Sequence, residues 1–119
     1  MLVVEDDEGV REVLGDLFRS EGFQVSLATG GAEMRPILAQ RDVDLCVIDV
    51  HLPGRDNGLV LANEAAGFGC GIVLMTGDTT ILQKVGRSGH RFLVKPFALH
   101  RLLRTIDRAL RDVTGNLAD

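Results

Sequence analysis

With 119 residues, 45% of them apolar, and a formal charge of −4, the chain has room for one domain around a single core; its acidic balance gives no encouragement to direct nucleic-acid binding. No run of ~18 apolar residues offers a membrane span and no basic-then-apolar leader opens the chain, so a cytoplasmic location without membrane contact is expected. Five Phe and no Trp or Tyr predict an aliphatic core, and Cys46 and Cys70, in apolar segments without metal-ligand spacing, read as two buried thiols.

Leu2-Val3-Val4 is too short for a helix and reads as a strand. Val10, Val13, Leu14, Leu17 and Phe18 then recur at helical spacing and predict one apolar helix face, closed at Glu21-Gly22 with Gly22 as the residue just past the cap. Phe23 to Leu27 alternates like a strand. A weaker helix covers Gly31 to Gln40, where Pro36 is expected to kink it or delay its start. Val43 to Val50 is a second strong strand, Leu59 to Ala66 a short helix, and Gly71 to Met75 another buried strand. Thr79 to Val85 predicts a thin helix, since Gly86 and Gly89 follow at once, and Arg91 to Val94 a fifth strand. Leu99, Leu102, Leu103, Ile106 and Leu110 give a clear amphipathic helix that fades near Gly115. No repeat or low-complexity segment interrupts the series.

Strands apolar on both faces, alternating with helices, argue for a parallel sheet covered on both sides by right-handed crossovers. In such sheets ligands sit beyond the carboxyl ends of the strands, where strand order reverses. The residues there are Glu5, Asp6 and Asp7 after the first strand, Asp49 at the end of the third, Thr76 after the fourth and Lys95 after the fifth. Two carboxylates ~4 Å apart repel by about 4 kcal/mol at an effective dielectric of about 20, so such a cluster calls for a cation. An all-oxygen set with open positions suits Mg²⁺. A carboxylate beside it can act as a nucleophile toward a phosphoryl group, with the metal and a lysine offsetting charge on the phosphoryl oxygens.

The segments "LVVEDD", "DLCVIDVHLPG", "LMTGD" and "FLVKPF" resemble the four signatures of response-regulator receiver domains, in the right order and across essentially the whole chain. The resemblance implies a flavodoxin-like, doubly wound (βα)5 fold, a five-stranded parallel sheet of order 2-1-3-4-5. It places the receiver domain at 1–113 and a tail at 114–119. It further implies that Asp49 accepts a phosphoryl group from a histidine kinase or phosphotransfer protein, and that Glu5, Asp6, Asp49 and the backbone carbonyl of His51 hold Mg²⁺. Asp7 falls on a variable position and is not expected as a ligand. Thr76 matches the switch hydroxyl, Lys95 the ion-pairing lysine, and Phe92 the aromatic that turns inward when the threonine moves. Lys95-Pro96 matches a cis bond. His51 and Asp78, two residues after Asp49 and Thr76, occupy positions that tune phosphoryl lifetime in the family. The domain would assist its own phosphorylation and dephosphorylation without being an enzyme in the ordinary sense.

The chain departs from the family pattern in three places. The loop Gly54-Arg55-Asp56-Asn57 is one residue longer than the commonest form. The Thr76-to-Lys95 spacing is short, which predicts a truncated fourth helix and puts the usual dimer face in doubt. The first strand begins at Met1, as in a trimmed chain, and no output segment follows Asp112, so output is expected from a downstream protein or from a covalently linked output or kinase domain, the compact ending being similar to receivers of hybrid histidine kinases.

Plainer readings stand beside these. The acidic turn could cap the first helix, Thr76 could cap the next turn, Lys95 could be a surface lysine and Phe92 simply core. His51 and His90 read as exposed loop histidines. Arg101, Arg104, Arg108 and Arg111 form either the wet side of the last helix or a partner face. At the level of function, the alternative is a receiver-like interaction module that is not phosphorylated. A small phosphohydrolase would need a general acid near Asp49, and Val50-His51 does not supply the Asp-x-Asp pair of haloacid-dehalogenase-like enzymes.

Overall fold

The computed structural model of the protein describes residues 1–53 and 57–114. Its elements alternate along the chain as β1 (Leu2–Val4), α1 (Glu8–Ser20), β2 (Ser26–Ala28), α2 (Gly31–Gln40), β3 (Leu45–Asp49), α3 (Gly58–Ala66), β4 (Gly71–Thr76), a 3-10 turn (Thr79–Ile81) leading into α4 (Leu82–Arg87), β5 (Arg91–Val94) and α5 (Leu99–Thr114). The strands form one parallel sheet in the order β2-β1-β3-β4-β5, as the sequence predicts. Order reverses between β1 and β3, which opens a crevice at their carboxyl ends. No helix among the described residues is long and apolar enough to cross a membrane.

The strands read as continuous apolar runs because both faces of the sheet are covered. Leu2, Val4, Cys46, Ile48, Ile72 and Leu74 face one layer, where they pack with Met34 and Leu38 of α2, Leu61, Ala62 and Ala65 of α3, and Val85 of α4. The alternate residues, Val3, Leu45, Val47, Val73, Met75 and Leu93, pack against Leu14 and Phe18 of α1 and Leu102, Ile106 and Ala109 of α5. Cys46 and Cys70 are both buried and free, with Cys70 donating to the Val43 carbonyl at 3.1 Å.

Helix α1 closes as its sequence predicts. Gly22 takes φ +95°, the Gly22 N–H donates to the Arg19 carbonyl and the Phe23 N–H reaches back to Phe18, both at 3.0 Å. The rings of Phe18 and Phe23 then meet edge to face, 6.2 Å between centroids. This fold-back keeps Phe23 out of the sheet, so β2 starts at Ser26 and not at Phe23.

The predicted apolar face of α1 is rotated. Val10 is 36% and Val13 66% exposed, whereas Leu14, Gly15 and Phe18 are buried. The helix approaches the sheet at Gly15, where a Cβ would lie 3.2 Å from Leu27 Cδ2; at ~100° per residue that contact turns Val13 outward. Leu99 is likewise exposed, at the first turn of α5. Pro36 sits inside α2 without delaying its start at Gly31, and it removes the N–H that the Ala32 carbonyl would otherwise receive. Beyond β4, the 3-10 turn and the six-residue α4 bear out the predicted truncation. The extra loop residue falls in 54–56 and most of the tail in 115–119, both outside the described residues.

One close approach fixes the end of β3. A Cβ added to Gly58 would lie 2.1 Å from the Asp49 carbonyl oxygen and 2.6 Å from Val50 Cα, both backbone atoms. The Gly58 N–H donates to the Val50 carbonyl at 3.0 Å, locking α3 against the strand end. Gly58→Ala is expected to cost ~1–3 kcal/mol, seen as a lower urea midpoint. Gly86→Ala, with nothing within 4 Å of its added Cβ, is expected to be neutral or stabilising. Equal losses in the two variants would contradict this account.

Candidate phosphoacceptor site

The crevice at the β1–β3 switch point collects the acidic residues. Glu5 follows β1 and is 2% exposed, Asp49 ends β3 at 6%, and Asp6 lies outside on the rim. One oxygen from each lies within 4.8 Å of the others. Asp7 does not join them; its Oδ1 accepts from the Val10 N–H at 2.9 Å and caps α1. The capping reading of the acidic turn is therefore right for Asp7 and fails for its two neighbours.

Lys95 reaches the site from the end of β5, with Nζ 3.7 Å from Asp49 Oδ2 and 3.9 Å from Glu5 Oε1. It is no free surface lysine. The Lys95 N–H donates to the Thr76 carbonyl at 2.7 Å, so β5 carries the ammonium in register, and the Lys95–Pro96 bond is cis. Burial, then the hydrogen bond to Asp49 and the charge beside it, push the Glu5 carboxyl up to about 8 against the pull of Lys95. Burial also works against ionisation of Asp49, but the hydrogen bond from Glu5, the His51 N–H at 2.9 Å and Lys95 together hold that carboxyl below its ordinary value. The pair thus keeps one proton, on the Glu5 side.

Glu5 Oε2 is buried without a hydrogen-bond partner. An orphaned carboxylate oxygen beside two further acids, all hard oxygen donors, fits a divalent cation such as Mg²⁺. The fit rests on this chain's own donors: a cation there would satisfy Oε2 and relieve the crowding that makes Glu5 hold its proton.

Thr76 ends β4 fully buried, its Oγ1 accepting from the Asp78 N–H at 3.1 Å. The 3-10 turn itself is capped by Asp78, whose Oδ1 accepts from the Thr80 N–H, so Thr76 holds only the residue that leads into it. Phe92 is 36% exposed on β5 beside Arg101, Arg104 and Arg108 in a surface groove, so it is not simply core. Arg111 pairs instead with Asp107 at 3.2 Å. His51 lies exposed in the loop after β3, as its sequence reading has it, though both histidines also make side-chain contacts. His90 is half-buried with Nε2 2.9 Å from Asn63 Oδ1, and the His51 ring reaches Thr76.

Sequence reasoning missed three contributors. Arg11 Nη1 donates to the carbonyls of Glu5 at 3.0 Å and Asp6 at 3.3 Å, tying α1 to the acidic loop; nothing in its spacing announces this. Asn57 caps α3 through Leu59 and Val60, and Gly58 follows in close contact with β3, for which Asn-Gly before an apolar run was the available signal. The His51–Thr76 contact spans 25 residues and had no local signal.

The sequence profile of the response regulator receiver domain matches residues 1–107. The aerobic respiration control protein ArcA of Escherichia coli is 36% identical over 101 residues, which cover 82% of this chain and 42% of ArcA. The chain spans about half the length of the curated relatives it matches. The receiver domain of NtrX from Brucella abortus superimposes with a TM-score of 0.82 at 28% identity, covering 92% of this chain and 97% of that one. The response regulator TrrA from Thermotoga maritima, solved in complex with Mg²⁺ and BeF, gives a TM-score of 0.80 at 25% identity, covering 91% of this chain and 96% of its own. The chain belongs to the response regulator receiver domain family, a family of two-component signalling domains.

Glu5 carries a pH signature. Folded and metal-free, it keeps its proton to about pH 8, while its ordinary value is 4.5. Between those values the folded state binds the extra proton, so stability falls as pH rises through the window. Chelator-treated protein is expected to resist urea less at about pH 9 than at about pH 6, and Glu5→Gln to flatten that difference. An unchanged slope in the variant would overturn the assignment.

Proposed function

We propose that Asp49 is the phosphoacceptor of this receiver domain and takes its phosphoryl group from a phosphohistidine on a histidine kinase or phosphotransfer protein. An Asp49 carboxylate oxygen forms the new bond to phosphorus as the bond to the donor imidazole nitrogen breaks and the neutral ring leaves. The observation that carries this reading is the rim itself, where Glu5, Asp6 and Asp49 converge and Lys95 spans Glu5 and Asp49.

Glu5, Asp6, Asp49 and the His51 backbone carbonyl would hold Mg²⁺. When bound, the ion supplies positive charge that offsets the phosphoryl oxygens. Lys95 loses one partner when Asp49 is phosphorylated and turns its ammonium to a phosphoryl oxygen. Thr76 supplies a hydroxyl to another oxygen, and Phe92, exposed on the neighbouring β5 opposite Leu74, reports that movement on the outer face. The same groups would assist slow hydrolysis of the acyl phosphate, so the domain acts on itself and on no separate substrate.

The unit 1–113 would work in the cytoplasm, without membrane or direct nucleic-acid contact of its own. Its output would go to a downstream protein or to a linked output or kinase domain, in keeping with relatives about twice its length. An unphosphorylated interaction module would have no use for a buried, orphaned Glu5 oxygen beside Asp49 and Lys95, which disfavours that alternative.

Beryllofluoride, a phosphoryl mimic, tests the proposal directly. With Mg²⁺ it is expected to bind the wild type and shift the amide resonances around Asp49, Thr76 and Lys95, and to leave Asp49→Ala unmoved. Lys95→Ala is expected to slow phosphorylation by a small acyl phosphate donor about 100-fold, the scale of losing one preorganised charge partner. Binding that survives Asp49→Ala would overturn the phosphoacceptor assignment.

A further inference from the structure

His51 holds two groups of the site at once. Its backbone N–H donates to Asp49 Oδ1 at 2.9 Å, and its ring Nε2 lies 2.9 Å from Thr76 Oγ1. The Thr76 hydroxyl has one proton and two lone pairs. The Asp78 N–H, at 3.1 Å, occupies a lone pair. The proton has two possible acceptors, His51 Nε2 at 2.9 Å and the Asp78 carbonyl at 3.4 Å, and the second is beyond the range of a sound O–H···O bond. The His51 contact has the better geometry of the two, and the ring's tautomer sets which partner carries the proton.

We infer that Thr76 donates its proton to a His51 imidazole protonated on Nδ1, and that this imidazole is a latch that holds the Thr76 hydroxyl in its resting orientation, so that the phosphorylated state forms only by breaking this hydrogen bond. The inference rests on the reading of Thr76 as the hydroxyl that answers a phosphoryl group on Asp49. It makes His51 a positioning residue. Thr76 has a single proton, and donating it to a phosphoryl oxygen requires giving up Nε2. The latch thus competes with the ligand for one donor and sets the resting equilibrium against the switched state. A net hydrogen bond of ordinary strength corresponds to a bias of about 2- to 12-fold.

The test is a double-mutant cycle read by the affinity for beryllofluoride with Mg²⁺, followed through the Met75 and Gly77 amide resonances. His51→Ala is expected to bind about 2- to 12-fold more tightly than wild type. The gain is expected to vanish in a Thr76→Val background, because the latch has nothing left to hold. His51→Gln, whose amide oxygen can accept the same proton, is expected to return part of the way to wild type. No gain, a weaker affinity, or an equal gain in the Thr76→Val background would overturn the latch and leave His51 acting on Asp49 by another route. A second measurement needs neither metal nor mimic: the imidazole nitrogen resonances of the resting protein, in which Thr76→Val is expected to shift Nε2. An unchanged ring spectrum would overturn the hydrogen bond itself. Failure of the wild type to show Asp49-dependent binding would instead remove the phosphoacceptor reading, and the ring spectrum would still decide whether Thr76 is held.

Discussion

The rim of the sheet depends on two carboxylates being kept together where water reaches poorly. Glu5 and Asp49 are both buried, and with both ionised their repulsion, about 4 kcal/mol at ~4 Å and an effective dielectric of about 20, would open the crevice if the strands were free to part. They are not. Leu2, Val3 and Val4 of β1 and Leu45, Val47 and Ile48 of β3 are at most 1% exposed, and each contributes ~1.5–3 kcal/mol by leaving water. The aliphatic strands therefore outweigh the acid pair severalfold. What remains is settled locally: Glu5 keeps a proton, Lys95 stands between the two, and the His51 N–H takes one oxygen of Asp49.

From that pair the geometry spreads outward through hydrogen bonds and strand register. His51 joins Asp49 to Thr76; the Thr76 carbonyl receives the Lys95 N–H; and β4 and β5 are paired from Val73–Arg91 to Thr76–Val94, with Phe92 opposite Leu74. The acid site and the outer face of β5 are thus neighbours across two strands. The Thr76–Lys95 hydrogen bond and the pairing of Leu74 with Phe92 lie along the same two strands, so the distance from the site to that surface is short.

The sheet was legible in the sequence because doubly covered strands leave a plain mark, unbroken apolar runs set between helical repeats. Residues at strand ends could be placed on one rim by topology alone, which is why Glu5, Asp6, Asp49, Thr76 and Lys95 were all found near the crevice. Errors arose where packing overrode periodicity. Val10 and Val13 match a helical face, yet the close approach at Gly15 turns them to solvent. Phe23 has strand character, yet its ring is taken by Phe18. The His51 ring and the Arg11 guanidinium were out of reach for another reason. Both bridge backbone segments that only the finished fold brings together, and a long polar side chain carries no record of its partner.

The shortness of α4 has a consequence for how the molecule breathes. It offers a single fully buried side chain, Val85, and is entered through a 3-10 turn with none, whereas β3 is buried along its whole length. Free energies of local opening follow such anchoring, so amides of 79–87 belong with the first to exchange their hydrogens and those of β3 with the last. Asp49 thus ends the strand expected to open most slowly among the described residues, while 79–87 can be remodelled without disturbing that foundation.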